Sequence, residues 1–166
     1  MIILGIDPGF GRLGFSMLEK KGGVLKLLDA GLIETSAGTK QHMRLAYIYD
    51  SISALIKKYK PSILAIERLF FAANQKTAIA VAEARGVALL TAGKSGLKVY
   101  EYTPPEVKRA LTGDGRADKK AVQKMVMLAL GTEKSFIDDT ADELRLRSPR
   151  RMIEKTISPP SRRNDV

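Results

Sequence analysis

The opening of the chain constrains its fold most. Ile2-Ile3-Leu4-Gly5-Ile6 is a short apolar run stopped by Asp7-Pro8-Gly9. Such a run reads as a buried strand ending in a turn. Residues 13–18 predict a second strand, closed by the hairpin signal Lys20-Lys21-Gly22-Gly23, and residues 24–33 predict a third. A three-stranded meander therefore comes first. Met43, Leu45, Ile48, Tyr49, Ile52, Leu55, Ile56 and Tyr59 then recur at helical spacing, and Pro61 ends that helix. Residues 63–66 predict a short buried strand with Glu67 at its carboxyl end. The Ala-rich residues 74–92 predict a helix, and residues 97–102 a fifth strand. Thr103-Pro104-Pro105-Glu106 fits a capping box with proline at the first helical position, opening a short helix to about residue 111. Residues 119–130 predict another helix, and Asp138-Asp139-Thr140 opens a last one. The order βββ-α-β-α-β-α-α-α predicts an α/β fold. Its mixed five-stranded sheet combines an antiparallel meander with parallel strands, flanked by helices.

Composition narrows the chemistry. The chain of 166 residues has no cysteine and one histidine, His42. Disulfides, thiolate metal sites, cysteine nucleophiles and histidine-cluster zinc sites are excluded together. Carboxylates and lysines remain as the chemical groups. The absence of cysteine fits a reducing cytoplasm. No stretch reads as a signal or a membrane span, the longest apolar one being residues 86–93. The net charge of +10 suggests a polyanionic partner.

Gly9-Phe10-Gly11-Arg12-Leu13-Gly14 fits the dinucleotide fingerprint G-x-G-x-x-G. That fingerprint needs a helix next, to seat a pyrophosphate on its N-terminus. Here Phe15-Ser16-Met17-Leu18 runs straight into the hairpin signal, so the glycines are read as a tight turn between antiparallel strands. The informative acids sit at element ends. Asp7 follows the first strand and Glu67 ends the fourth. Asp139 and Asp142, three apart, share one face of the last helix. If the first and fourth strands are neighbours, Asp7 and Glu67 converge at one edge of the sheet. A cluster of oxygen ligands without cysteine favours Mg²⁺ or Mn²⁺. Taken singly, Asp7 is as readily a turn former, Glu67 a surface ion-pair partner of Arg68, and the later acids a helix cap.

Several separated motifs resemble one family. They are Ile3-Leu4-Gly5-Ile6-Asp7-Pro8-Gly9, Ala65-Ile66-Glu67-Arg68-Leu69-Phe70 with Asn74, and Ala84-Arg85-Gly86-Val87. Pro105-Glu106-Val107-Lys108, Gly113-Asp114-Gly115-Arg116-Ala117-Asp118-Lys119 and Asp138-Asp139-Thr140-Ala141-Asp142 follow in order. Together they resemble the RuvC family of Holliday-junction resolvases over roughly residues 1–144. The resemblance implies a ribonuclease H-like nuclease domain over residues 1–147. It implies a homodimer that binds four-way junctions and nicks two opposing strands, leaving 5′-phosphate and 3′-hydroxyl ends. The family's catalytic acids and metal ligands fall on Asp7, Glu67, Asp139 and Asp142, with two Mg²⁺ ions that Mn²⁺ can replace. Asp7 is the best placed to bridge them. Basic positions near the site fall on Lys108 and Lys119, Lys119 being suited to neutralise the scissile phosphate, and Arg116 is a further DNA contact. The junction-wedging aromatic falls on Phe70, with Phe71 its companion. The RuvA–RuvB branch-migration complex is the implied protein partner, and a cytoplasmic location is implied with it.

From Arg145 the chain departs from the family's apolar, Ala-rich last helix. Charges replace apolar positions and Pro149 stops the helix. Residues 148–166 read as a basic, disordered tail. Residues 145–166 carry a net +5, half of the whole excess, so the folded part is only moderately basic.

Overall fold

The computed structural model describes residues 1–9, 11–69 and 75–130. Five strands form one sheet in the order β3-β2-β1-β4-β5. The strands are β1 (Ile2–Asp7), β2 (Arg12–Lys21), β3 (Val24–Glu34), β4 (Ile63–Glu67) and β5 (Lys98–Tyr102). The helices are α1 (Gln41–Tyr59), α2 (Gln75–Lys94), α3 (Pro104–Thr112) and α4 (Lys119–Leu130). β1 pairs antiparallel with β2 and parallel with β4, and β4 pairs parallel with β5. The expected meander and the expected β1–β4 neighbourhood are both present.

Local chemistry explains where elements stop. β2 runs to Lys21, past the apolar residues 13–18, because Glu19, Lys20 and Lys21 pair with β3 through backbone alone. Gly22 and Gly23 then turn the chain with φ of 56° and 83°. Two successive positive φ values are those of the tight hairpin turn that matches strand twist. α1 ends where Lys60 enters the left-handed region and its N–H closes on the Ile56 carbonyl at 2.8 Å, with Pro61 next. At α3 the capping box is formed: Thr103 N–H donates to Glu106 Oε2 at 2.8 Å, and Glu106 N–H to Thr103 Oγ1 at 3.4 Å.

The sheet is covered on both faces, and strand alternation decides which residue meets which helices. Leu4, Ile6, Leu64 and Ile66 pack with Ile48 and Ile52 of α1 and with Ala84, Ala88 and Ala92 of α2. Ile3, Ala65 and Tyr102 pack on the other face with Val107 and Leu111 of α3 and Val122 and Val126 of α4. The central strands are thus apolar on both sides, as parallel strands between helical layers must be.

Candidate active site

Register fixes the first two acids. β1 and β4 pair up to Ile6 and Ile66, so Asp7 and Glu67 follow side by side at the carboxyl ends of adjacent parallel strands. Both are odd-numbered members of their strands, like Ile3 and Ala65. They therefore belong to the sheet face covered by α3 and α4. Both are half-buried. Carboxyl ends of neighbouring strands are where open α/β sheets bind ligands.

The turn after Asp7 is tight and braced. From Arg12 the G-x-G-x-x-G segment is already antiparallel β2, with Gly14 opposite Asp7, and no helix follows it. A side chain at Gly9 would collide with the Arg12 carbonyl, and Gly11 has φ 74°. Thr35 N–H donates to the Gly11 carbonyl at 2.9 Å, and Arg44 Nε donates to Thr35 Oγ1 at 2.9 Å. Arg44 is buried on α1, 8% exposed. Sequence periodicity gave no hint of it, because a charged residue among apolar ones reads as an outward-facing position.

The end of β4 is held by a second arginine that periodicity did not single out. Arg85 of α2 donates through Nε to the Glu67 carbonyl at 3.1 Å and pairs with the Glu101 carboxylate on β5. Arg68 Nε lies 3.9 Å from the same carboxylate, and Arg68 N–H donates to the Tyr102 carbonyl at 2.9 Å. Tyr102 pairs with Glu67 across the sheet. Burial, with lesser contributions from Tyr100 and Glu106, pushes its phenol up to about 12.

The basic candidates ride on the elements covering this face. Lys108 is half-buried on α3. Arg116 is exposed in the loop between α3 and α4, its N–H held by Asp114 Oδ1 at 2.9 Å. Lys119 is the exposed first residue of α4, capped by Asp118, whose Oδ1 accepts from Ala121 N–H at 2.8 Å. Lys119 and Lys120 add positive charge to a helix end that is already positive, an arrangement an anion would relieve. Asp139, Asp142, Phe70, Phe71 and the basic tail lie outside the described residues.

Asp7 and Glu67 fit a hard divalent cation by donor type, being two adjacent carboxylates. Among the described residues no group of three or more acids or histidines gathers around a metal position, so this pair supplies part of a ligand set. Among the described residues, too, no helix is long and apolar enough to cross a membrane.

The family described as Crossover junction endodeoxyribonuclease RuvC matches residues 3–147. The chain is 51% identical over 142 residues to the protein of that description from Brachyspira hyodysenteriae, covering 86% of this chain and 88% of the relative. It is 50% identical over 145 residues to that from Moorella thermoacetica, covering 87% of each. Thermus thermophilus RuvC superposes with a TM-score of 0.82 at 29% identity, over 95% of this chain and 92% of that one. The same protein in complex with a Holliday junction substrate superposes at 0.83 and 28%, with the same coverage. The fold is ribonuclease H-like, and the chain belongs to the RuvC family of crossover junction endodeoxyribonucleases.

Proposed function

We propose that the chain resolves four-way DNA junctions as a homodimer, nicking two opposing strands by metal-dependent hydrolysis. The observation that carries this reading is the side-by-side placement of Asp7 and Glu67 just past the last β1–β4 pair, on the α3/α4 face, in a member of a junction-nuclease family. Family membership carries a divalent-metal requirement. Asp7 and Glu67 would hold that metal, joined by Asp139 and Asp142, and Mg²⁺ as two ions suits an all-oxygen ligand set. When bound, the metal supplies an activated water and stabilises the leaving 3′ oxygen. The protein's own groups do the rest. Asp7 and Glu67 present fixed negative charge on a braced sheet edge. Lys119, Lys108 and Arg116 attract the backbone phosphates, and Lys119 faces its charge toward the scissile one. Phe70, with Phe71, wedges between bases at the crossover. The products carry 5′-phosphate and 3′-hydroxyl ends.

Apolar surface on α2 supports the homodimer. Ile79 is 72% exposed and Leu90 60%, and Gly86 and Gly93 lie on the same helical stripe with open space above them. Glu83 is exposed on the same stripe, and a second copy of this chain is the proposed cover for the apolar positions on either side of it. Residues 148–166 add a basic tail to the nuclease domain. A cytoplasmic setting and cooperation with the RuvA–RuvB complex follow from the same reading.

The test is direct. The purified chain should cut a synthetic four-way junction with Mg²⁺ and leave plain duplex largely intact, and Asp7→Asn should bind the junction without cutting it. Normal cleavage by Asp7→Asn would make the carboxylate pair irrelevant and the reading wrong.

A further inference from the structure

The backbone of Glu67 poses a hydrogen-bonding problem that the fold solves with one side chain. Arg68 N–H donates to the Tyr102 carbonyl at 2.9 Å, so the peptide joining residues 67 and 68 faces β5 with its N–H. A trans peptide points its carbonyl the opposite way, here toward β1. Pairing of β4 with β1 ends at Ile66 and Ile6. In that register the next β1 donor for the Glu67 carbonyl belongs to residue 8, and Pro8 has no N–H. The β1 ladder therefore supplies no donor for this carbonyl. Arg85 Nε reaches it from α2 at 3.1 Å. The same guanidinium binds Glu101 of β5, and its side chain is only 18% exposed. The peptide after Glu67 is thereby fixed at both of its polar groups, one by β5 and one by α2.

We propose that Arg85 is the positioning residue for Glu67: its guanidinium replaces the hydrogen bond that Pro8 cannot give, and so fixes the direction in which the Glu67 carboxylate leaves the sheet. The proposal rests on the reading of Glu67 as a metal ligand. Arg85 acts on the Glu67 carbonyl and the Glu101 carboxylate, not as a metal ligand. Its effect passes through the backbone, and outer groups that orient a ligand are worth about tenfold or more in metal affinity.

The experiment uses the full chain and four variants: Arg85→Ala, Arg85→Lys, Ala88→Gly and Glu67→Gln. Ala88 is fully buried on the same helix and packs in the opposite core, so its glycine variant loses stability without touching Glu67. Mn²⁺ affinity is read by electron paramagnetic resonance, the Mg²⁺ dependence of cutting by single-turnover assay, junction binding in EDTA, and Tm. Arg85→Ala is expected to weaken Mn²⁺ binding and raise half-saturating Mg²⁺ by about tenfold, with junction binding within about twofold. Arg85→Lys, able to reach one acceptor but not to bridge two, should fall between it and the parent. Ala88→Gly should lower Tm with both metal readouts unmoved. If Arg85→Ala keeps its metal affinity while Glu67→Gln loses it, or if Ala88→Gly shifts the metal readouts equally, the positioning role is overturned. If Glu67→Gln itself binds Mn²⁺ and cuts as the parent does, the ligand assignment beneath it falls instead.

Discussion

Gly9→Ala tests how tightly the turn after Asp7 must close. A methyl group at Gly9 would land on the Arg12 backbone carbonyl, well inside the 3.0 Å that real Cβ atoms keep, so one backbone segment must retreat by about half an ångström. The obstacle is backbone rather than a flexible side-chain end, and Arg12 is anchored as the first residue of β2. Overpacking of this kind costs about 1–3 kcal/mol, which lowers Tm by roughly 2–4 °C for each kcal/mol in a chain of this size. The effect on cutting should be disproportionate. Asp7 is two residues away and pairs with Gly14 across the same turn. Misplacing a reacting group by about 1 Å costs on the order of 100-fold, so half that shift predicts a loss of about tenfold. Gly22→Ala is the matched control. It meets no atom but sits at φ 56° in the opposite hairpin, and a side chain there costs about 1–2 kcal/mol. The ten residues of β2 put it about 30 Å from the site. Single-turnover cleavage of a four-way junction, measured well below both Tm values, separates the two. Cutting by Gly9→Ala within twofold of the parent, or a loss no greater than that of Gly22→Ala, refutes the reasoning.

Two further outcomes follow from burial. Tyr102 is raised from 10.0 to about 12 in the folded chain. The native state therefore holds a proton that the unfolded state releases, so its stabilising contribution is complete below pH 10 and is lost as pH rises toward 12. A rise of that size corresponds to roughly 2–3 kcal/mol. Denaturant unfolding at pH 9 and pH 11.5 should show Tyr102→Phe losing less stability than the parent across that interval, and an equal loss would place the phenol in solvent. Leu90→Glu puts a charge on the exposed α2 stripe and should turn a dimer into a monomer in sedimentation with little change in Tm. A dimer that survives moves the interface elsewhere, and a parent that is already monomeric removes the homodimer from the reading.

Much of the architecture was legible because it depends on local pattern. Apolar runs ended at Asp7 and Glu67, the helical spacing of Ile48 and Ile52 survived intact, and residues 119–130 form the expected helix. Strand alternation then assigned both acids to one face once β1 and β4 were neighbours. What stayed illegible depends on partners distant in sequence. β2 outran its apolar stretch because Glu19 to Lys21 are paired by backbone, which leaves no trace in side-chain pattern. The Ala-rich α2 shows only Glu83 among the small and apolar residues of its exposed stripe, too sparse a polar signal to separate buried Ala84 and Ala88 from exposed Ile79 and Leu90. Periodicity singled out neither Arg44 nor Arg85, yet each is largely buried, Arg44 bonded to the Thr35 hydroxyl and Arg85 to the Glu67 carbonyl.

Pro8 shows how a local signal can carry a distant consequence. Asp-Pro-Gly reads as a turn, and β1 does stop at Asp7 with antiparallel β2 following it. The same proline also removes the donor that would have continued the β1–β4 ladder past Ile6 and Ile66. Ending the ladder there is what frees Asp7 and Glu67 to project from the sheet edge rather than be followed by further paired strand. The β1 ladder no longer serves the Glu67 carbonyl, and a helix on the far face sends a long, forked donor to it. Lysine has the length but cannot reach the Glu67 carbonyl and the Glu101 carboxylate at once in a fixed plane. Arginine at position 85 can, and the contact ties the α2 layer to the acid on the opposite face. Turn, ladder end and buried arginine are one device, and a change at any of the three should be felt at Glu67.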